Sequence, residues 1–155
     1  MIQKGFPIRY TIEGEGEDRP ILEEFIRVNN LEDVVTLLGR TLKTNQMLQE
    51  FDIFLQSSVK EGLPYVLAEA GRAKLPVVST RTGGIPEIII HEETGILVEP
   101  RNAQYLADAL ERYINDREFA KNMAQKLNKH VTENFSQSKM MYETIKVYGL
   151  IKDEK

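Results

Sequence analysis

The stretch from Ser57 to Ile89, SSVKEGLPYVLAEAGRAKLPVVSTRTGGIPEII, constrains the fold more than any other part of the chain. Its pattern predicts a polar loop, a helix that starts at Pro64, a short buried strand, a glycine loop and a second helix. Pro64 suits a first helical turn because its φ angle is already fixed and it lacks an N–H that would stay unpaired there. A loop that leads straight into a helix directs several free backbone N–H groups at one place, with the positive end of the helix dipole behind them. Such a helix start binds anions, phosphate among them.

Two glutamates accompany this predicted anion site. Glu61 lies in the loop before the helix, and Glu69 lies about a turn and a half inside it. The carboxylate further along the helix can accept hydrogen bonds from vicinal hydroxyl groups. Phosphate-binding N–H groups and a hydroxyl acceptor in one short stretch together indicate a sugar nucleotide as the ligand.

Strand and helix patterns alternate along the rest of the chain. This alternation predicts an α/β fold, in which a doubly wound parallel sheet carries helices on both faces. Ligands of such sheets bind beyond the carboxyl ends of the strands, where the loops Gly39–Thr41, Ser57–Gly62 and Thr80–Gly84 are expected. The predicted strands are Ile8–Ile12, Val34–Leu38, Phe51–Gln56, Leu75–Ser79 and Ile96–Val98. Besides the two helices named above, helices are predicted after the capping residues Asp18 and Ser136, over Leu42–Glu50, from Pro100 and Asn102, and after Asp116.

Composition excludes several classes of protein. The 155 residues carry a net charge of −4 at pH 7, which argues against a nucleic-acid partner. Cysteine is absent, and neither His91 nor His130 has acidic neighbours at metal-ligand spacing, so no metal or other cofactor is expected. No apolar run reaches transmembrane length and the N-terminus lacks a signal-peptide core, which indicates a cytoplasmic setting. A peripheral membrane contact remains open for a segment outside this chain.

The segment EGLPYVLAEA, in which Glu61 and Glu69 stand seven residues apart, resembles the E-x7-E motif of the retaining GT-B glycosyltransferases. The segment GGIPE, Gly83 to Glu87, is similar to the loop that follows that motif in the same family, glycosyl transferases group 1 or family 4. The resemblance extends from about Pro7 to Tyr148. It implies a Rossmann-like domain over residues 1–150, the C-terminal half of a GT-B fold that binds the sugar nucleotide, followed by a tail over residues 151–155.

The resemblance also implies roles for individual residues. Glu69 is expected to hold the ribose hydroxyls, and Glu61 is expected to act as a catalytic residue that contacts the transferred sugar near its reacting carbon. Gly39 and Arg40 are expected to contact the base through the backbone, and Gly83 and Gly84 to allow close backbone approach to the sugar. The diphosphate is expected on backbone N–H groups of Gly62, Leu63, Pro64, Tyr65, Val66 and Leu67, although many relatives have glycine where Pro64 removes one N–H.

Each of these residues also has a simpler interpretation. Glu69 can be an exposed helix glutamate, and Glu61 can be a loop glutamate that stabilises a nearby helix start by its charge. Gly39 with Arg40 can be a strand end followed by a solvated arginine. Gly83 and Gly84 can form an ordinary turn.

The implied function is transfer of a hexose from a nucleoside diphosphate to an acceptor hydroxyl with retention, in polysaccharide, lipopolysaccharide or glycolipid synthesis. The family's first strand, its G-R…K-G segment and its acceptor-binding N-terminal domain, which takes the sugar or lipid acceptor, have no counterpart in these 155 residues. We therefore expect this chain alone to bind the sugar nucleotide weakly and to be inactive or nearly so. The alternatives are a non-catalytic binding or assembly domain that pairs with another chain, and a GT-B relative that epimerises sugar nucleotides.

Overall fold

The computed structural model describes residues 5–41 and 44–149. The chain divides into two compact units, Met1–Thr44 and Asn45–Lys155. The predicted tail, residues 151–155, lies outside the described residues, as do residues 42 and 43 of the helix predicted over Leu42–Glu50.

The first unit contains a βαβ arrangement. Strand β1 (Tyr10–Glu13) pairs in parallel with β2 (Val35–Gly39), and helix α1 (Arg19–Val28) connects them. Asp18 precedes α1 as predicted, but its side chain makes no capping hydrogen bond, so this residue marks the helix start without stabilising it in the predicted way.

The second unit is built on a three-stranded parallel sheet with β4 in the centre. The order is β3-β4-β5, with Gln56 of β3 opposite Ser79 of β4, and every residue of β4 is buried. The strands are β3 (Phe54–Gln56), β4 (Val77–Thr80) and β5 (Ile96–Val98). The helical segments that follow β2 in the chain are α2 (Thr44–Met47), a 3₁₀ turn (Leu48–Glu50), α3 (Tyr65–Arg72), α4 (Ile85–Ile88), α5 (Ala103–Asn115), α6 (Arg117–Asn134) and α7 (Gln137–Val147).

Helices cover both faces of this sheet. Val77 belongs to a core cluster with Leu67 of α3 and Leu127 of α6. The next residue, Val78, belongs to a second cluster with residues of α5 and α6, among them Tyr113. Because neighbouring side chains of a strand point to opposite faces, the two clusters lie on opposite sides of the sheet. The predicted α/β class with parallel strands and flanking helices is confirmed, and the described strands are distributed over two sheets.

Side-chain caps begin the three long C-terminal helices where the sequence predicts them. Asn102, Asp116 and Ser136 each accept a hydrogen bond from the backbone N–H three residues further on. The short elements differ more from the prediction. The strand predicted from Phe51 begins at Phe54, and the helix predicted after the glycine loop is only the four-residue α4. No helix in the described part of the chain combines the length and apolarity needed to cross a bilayer.

Candidate functional site

Two loops meet at the carboxyl edge of the three-stranded sheet. The β3–α3 loop, residues 57–64, follows Gln56, and the β4–α4 loop, residues 81–84, follows Thr80. Because β3 and β4 are neighbouring parallel strands, both loops leave the sheet at the same edge. This is the edge that the sequence predicts for the ligand.

Three hydrogen bonds fasten the main chain of the β3–α3 loop. The Thr80 hydroxyl donates to the carbonyl oxygen of Ser58, and the Thr82 hydroxyl donates to that of Val59 at 3.3 Å. The N–H of Gly84 donates to the carbonyl oxygen of Gly62 at 2.7 Å. Residues of β4 and of the β4–α4 loop therefore hold the backbone of the β3–α3 loop in its conformation.

Gly83 and Gly84 make this close contact between the loops possible. Gly83 has a φ of +53°, and a Cβ atom there would overlap the carbonyl oxygen of Glu61. A Cβ atom on Gly84 would lie 2.7 Å from the carbonyl oxygen of Gly62. The backbone that lies close to Gly83 and Gly84 is therefore that of the β3–α3 loop. Contact of these two glycines with a sugar stays a prediction.

Helix α3 starts at Tyr65, one residue later than the sequence predicts. Pro64 is the residue before the helix, with an extended backbone at φ −76° and ψ 104°. Leu67 donates its N–H to the carbonyl oxygen of Pro64 at 3.1 Å, and its side chain is fully buried in the core. Pro64 and Leu67 therefore offer no N–H to a ligand, although the resemblance to the family's motif placed both among the phosphate-binding positions.

The remaining N–H groups at this helix start are unpaired. Within the described residues, no acceptor receives the N–H of Gly62, Leu63, Tyr65 or Val66. Leu63 and Tyr65 have exposed side chains, and Gly62 is also exposed. Four free N–H groups next to the positive end of a helix form an anion-binding arrangement.

Glu61 lies half-buried in the β3–α3 loop and is held by two neighbours. Its Oε1 atom accepts a hydrogen bond from the Ser58 hydroxyl at 2.6 Å and one from the Gln56 side-chain amide at 2.8 Å. The Gln56 carbonyl oxygen, Oε1, is buried and has no hydrogen-bond partner among the described residues. The sequence motif marks Glu61 but not these two partners.

Glu69 lies in α3 between the buried residues Ala68 and Ala70 and is itself half-buried. Its carboxylate has no hydrogen bond to any side chain or N–H group of the described chain. A half-buried carboxylate without a partner in the protein is available to accept hydrogen bonds from a ligand.

Gly39 and Arg40 belong to the first unit, whereas the other predicted site residues belong to the second. Gly39 ends β2 with a φ of +80°, and its carbonyl oxygen accepts the N–H of Gly14 at 3.0 Å. This left-handed φ favours glycine there, whereas the tip of the Glu15 side chain, 2.7 Å from where a Cβ atom would lie, is flexible and can move aside. Arg40 is exposed, and contact of these residues with a base stays a prediction.

The two histidines have structural partners. The Nδ1 atom of His91 accepts the N–H of Leu97 at 3.1 Å, and Nε2 of His130 lies 3.4 Å from the carbonyl oxygen of Glu87. Among the described residues no three His, Cys, Asp or Glu side chains are grouped as metal ligands would be.

The sequence pattern places Ser58, Thr80 and Thr82 in the loops predicted at this edge but assigns no role to them or to Gln56. A signal was present, because polar side chains end both β3 and β4 immediately before the loops. Their partners depend on the pairing of β3 with β4, which the sequence pattern does not specify.

The fold and this edge define an α/β protein of the doubly wound class whose candidate site follows the carboxyl ends of parallel strands. Residues 2–130 match the sequence model of the family Glycosyl transferases group 1. The chain belongs to this family, and the family prediction is confirmed.

One curated relative and two solved structures illustrate the similarity. The chain is 33% identical over 144 residues to N-acetyl-alpha-D-glucosaminyl L-malate synthase of Bacillus anthracis, and the alignment covers 92% of this chain and 38% of that protein. The fold of this chain resembles that of HepE of Anabaena, solved in complex with UDP-glucose, with a TM-score of 0.86 and 23% identity. This match covers 92% of this chain and 41% of HepE. The fold also resembles the C-terminal domain of the group 1 glycosyl transferase LpcC of Francisella tularensis, with a TM-score of 0.72, 24% identity, and coverage of 88% and 91%.

These similarities confirm the predicted fold, since the structural neighbours are GT-B glycosyltransferases. The chain spans about two fifths of the length of the Bacillus relative.

Proposed function

We propose that this chain binds the sugar nucleotide of a glycosyltransferase at the carboxyl edge of the β3-β4-β5 sheet. The observation that carries the proposal is the start of α3, where four unpaired N–H groups precede the unpartnered carboxylate of Glu69. Membership of the glycosyl transferases group 1 family supports it. The complex of HepE with UDP-glucose, a protein of the same fold, supports a nucleotide sugar as the ligand.

The diphosphate rests on the N–H groups of Gly62, Leu63, Tyr65 and Val66. The helix dipole adds about 0.3–1 kcal/mol for an anion at this end of α3. Glu69 accepts hydrogen bonds from the two ribose hydroxyls, each worth roughly 1.5–3 kcal/mol because the acceptor is charged.

The sugar lies beside Glu61, at the edge where the β3–α3 and β4–α4 loops meet. In the proposed reaction, a hexose leaves the nucleoside diphosphate and joins an acceptor hydroxyl with its anomeric configuration retained. Glu61 contacts the sugar near the reacting carbon, where positive charge develops as the bond to the diphosphate breaks. The products are a nucleoside diphosphate and a glycosylated acceptor of a polysaccharide, lipopolysaccharide or glycolipid pathway.

Binding, rather than transfer, is the measurement that tests this proposal on the 155-residue chain. We would titrate the ¹⁵N-labelled protein with UDP, GDP and ADP and record the chemical shifts, which report dissociation constants into the millimolar range. Glu69→Ala should weaken binding of the preferred nucleotide at least about tenfold, since it removes a charged hydrogen-bond acceptor.

Glu133→Ala is the matched control, because Glu133 is an exposed helix glutamate of the same unit. It should bind the nucleotide as the wild-type chain does. The proposal is wrong if the wild-type chain binds none of the three nucleotides, or if Glu69→Ala binds as tightly as the control.

A further inference from the structure

Three polar side chains form a hydrogen-bonded group at the end of β3. Gln56 and Ser58 both donate to Oε1 of Glu61, at 2.8 Å and 2.6 Å. The amide nitrogen of Gln56 must face the carboxylate, because its carbonyl oxygen would be repelled there. No donor from the described residues reaches the second carboxylate oxygen, Oε2 of Glu61. One oxygen of Glu61 is therefore held by the protein, and the other is left for a ligand.

These two side chains are not needed to hold the loop. Its main chain is fastened by bonds from Thr80, Thr82 and Gly84 to the carbonyl oxygens of residues 58, 59 and 62. The side chains of Gln56 and Ser58 act instead on the direction of the Glu61 side chain. A glutamate that is already fixed loses less rotational freedom when it meets a ligand than a freely rotating one.

Gln56 also carries a buried polar atom that lowers the stability of the fold, which supports a functional role for this side chain. Its buried carbonyl oxygen lacks a partner among the described residues. An unpaired buried polar atom lowers stability, and one in a native protein calls for a functional explanation. A methionine of similar length would fill the position without that cost, but it would leave Glu61 without the hydrogen bond from the amide.

We propose that Gln56 and Ser58 are positioning residues, which direct the free oxygen of Glu61 at the sugar of the bound nucleotide. This inference rests on the proposed function, because it takes Glu61 as the sugar contact. Both residues act through Glu61 and need not touch the sugar themselves.

The test separates binding of the sugar from binding of the nucleotide. The quantity measured is the ratio of two dissociation constants, that of the nucleoside diphosphate to that of its sugar ester. The probes are UDP with UDP-glucose and UDP-N-acetylglucosamine, GDP with GDP-mannose, and ADP with ADP-glucose. Glu61→Ala should lower this ratio for the preferred ester, and Gln56→Met and Ser58→Ala should each lower it about threefold to tenfold.

Four further results distinguish positioning from a structural role. Gln56→Met should unfold at the same temperature as the wild-type chain or a higher one, while its ratio falls. Ser58→Thr, which keeps the hydroxyl, should restore the wild-type ratio, and Ser57→Ala, which removes a neighbouring exposed hydroxyl, should leave it unchanged. In a Glu61→Ala background, Gln56→Met and Ser58→Ala should change the ratio no further.

Each outcome bears on one of the two proposals. If Glu61→Ala lowers the ratio but Gln56→Met and Ser58→Ala do not, the positioning role is overturned and the proposed function stands. Additional losses in the Glu61→Ala background would also overturn it. If no nucleotide binds, or no ester responds to Glu61→Ala, then the sugar contact itself is refuted and the positioning role with it.

Discussion

At residue 83 the chain needs glycine for two separate reasons. The φ angle of +53° lies in the left-handed region, and a Cβ atom would overlap the carbonyl oxygen of Glu61. The atom in the way belongs to the backbone of the β3–α3 loop, so it cannot move aside as a side-chain tip would. The two loops of the candidate site therefore hold their spacing only with glycine at this position.

Gly83→Ala should destabilise the protein by more than the roughly 1–2 kcal/mol that the left-handed conformation alone costs. The free energy of unfolding in urea measures this, with Gly16→Ala as the control, since nothing lies within 4 Å of a Cβ there and no positive φ is required. Equal unfolding midpoints for the two variants would contradict the described contact between the loops.

At the same scale, the sequence predicted part of the candidate site. Glu61, Glu69 and the two glycines were marked because the segments EGLPYVLAEA and GGIPE resemble two motifs of the family. Gln56, Ser58 and Thr80 were not, because their partners come from loop geometry and from strand pairing. Leu67 was grouped with the phosphate-binding positions because the residue count did not show that its N–H would bond to Pro64.

Helix α3 and helix α6 pack closely at one glycine. A Cβ atom on Gly71 would lie 2.9 Å from Cγ of Leu127 and 3.0 Å from a methyl carbon of Val131. The side-chain amide of Asn128 donates to the carbonyl oxygens of Gly71 at 3.0 Å and of Arg72 at 3.3 Å. The sequence marks Gly71 only as a residue that disfavours helix, whereas in the structure it allows α6 to approach the end of α3.

Gly71→Ala sets two effects against each other. Alanine improves helix propensity by about 0.8–1 kcal/mol, but overpacking a core typically costs about 1–3 kcal/mol. We expect a net loss of stability of about 1 kcal/mol, because the crowded atoms are a branch carbon and the methyl groups of a β-branched side chain. Urea unfolding measures it.

A second variant tests the cause of that loss. Val131→Ala alone should destabilise the protein by leaving a cavity. In Gly71→Ala/Val131→Ala the new methyl group occupies part of that cavity, so the double variant should be more stable than the sum of the single changes allows. Strict additivity would show that the two residues do not touch.

For the whole molecule, the alternation of strands and helices was sufficient to predict the α/β class. Long helices were placed well because their apolar stripes and capping residues Asn102, Asp116 and Ser136 are local signals. The distribution of the strands over two sheets was not predicted, because strand pairing depends on residues distant in sequence. Short elements such as β3 and α4 were placed less well, since three or four residues carry little periodicity.

One ion pair links three segments of the second unit. Arg112 of α5 makes a bidentate contact with Glu92, in the turn before β5, with 3.1 Å between Nη2 and Oε2. The guanidinium also lies over the ring of Phe119 in α6, with Cζ 5.0 Å from the ring centroid. The hydrogen bond from Arg112 lowers the pKa of the Glu92 carboxyl below its ordinary value of 4.5.

This pair should make stability depend on pH. A carboxyl whose pKa is lowered by folding contributes stability above its unfolded pKa and loses that contribution as the pH falls through its folded pKa. Glu92→Gln should therefore reduce the free energy of unfolding at pH 7 by about 0.2–1 kcal/mol, the range for a largely exposed pair, and the deficit should shrink as the pH falls below 4.5. Residue 92 has a left-handed backbone with a φ of +62°. This conformation costs glutamine as much free energy as it costs glutamate, so the substitution does not change the backbone strain.

Urea unfolding at pH 7 and pH 3 measures the deficit, with Glu93→Gln, a change at the exposed neighbouring residue, as the control. A deficit for Glu92→Gln that is as large at pH 3 as at pH 7 would mean that the carboxylate charge is not its source.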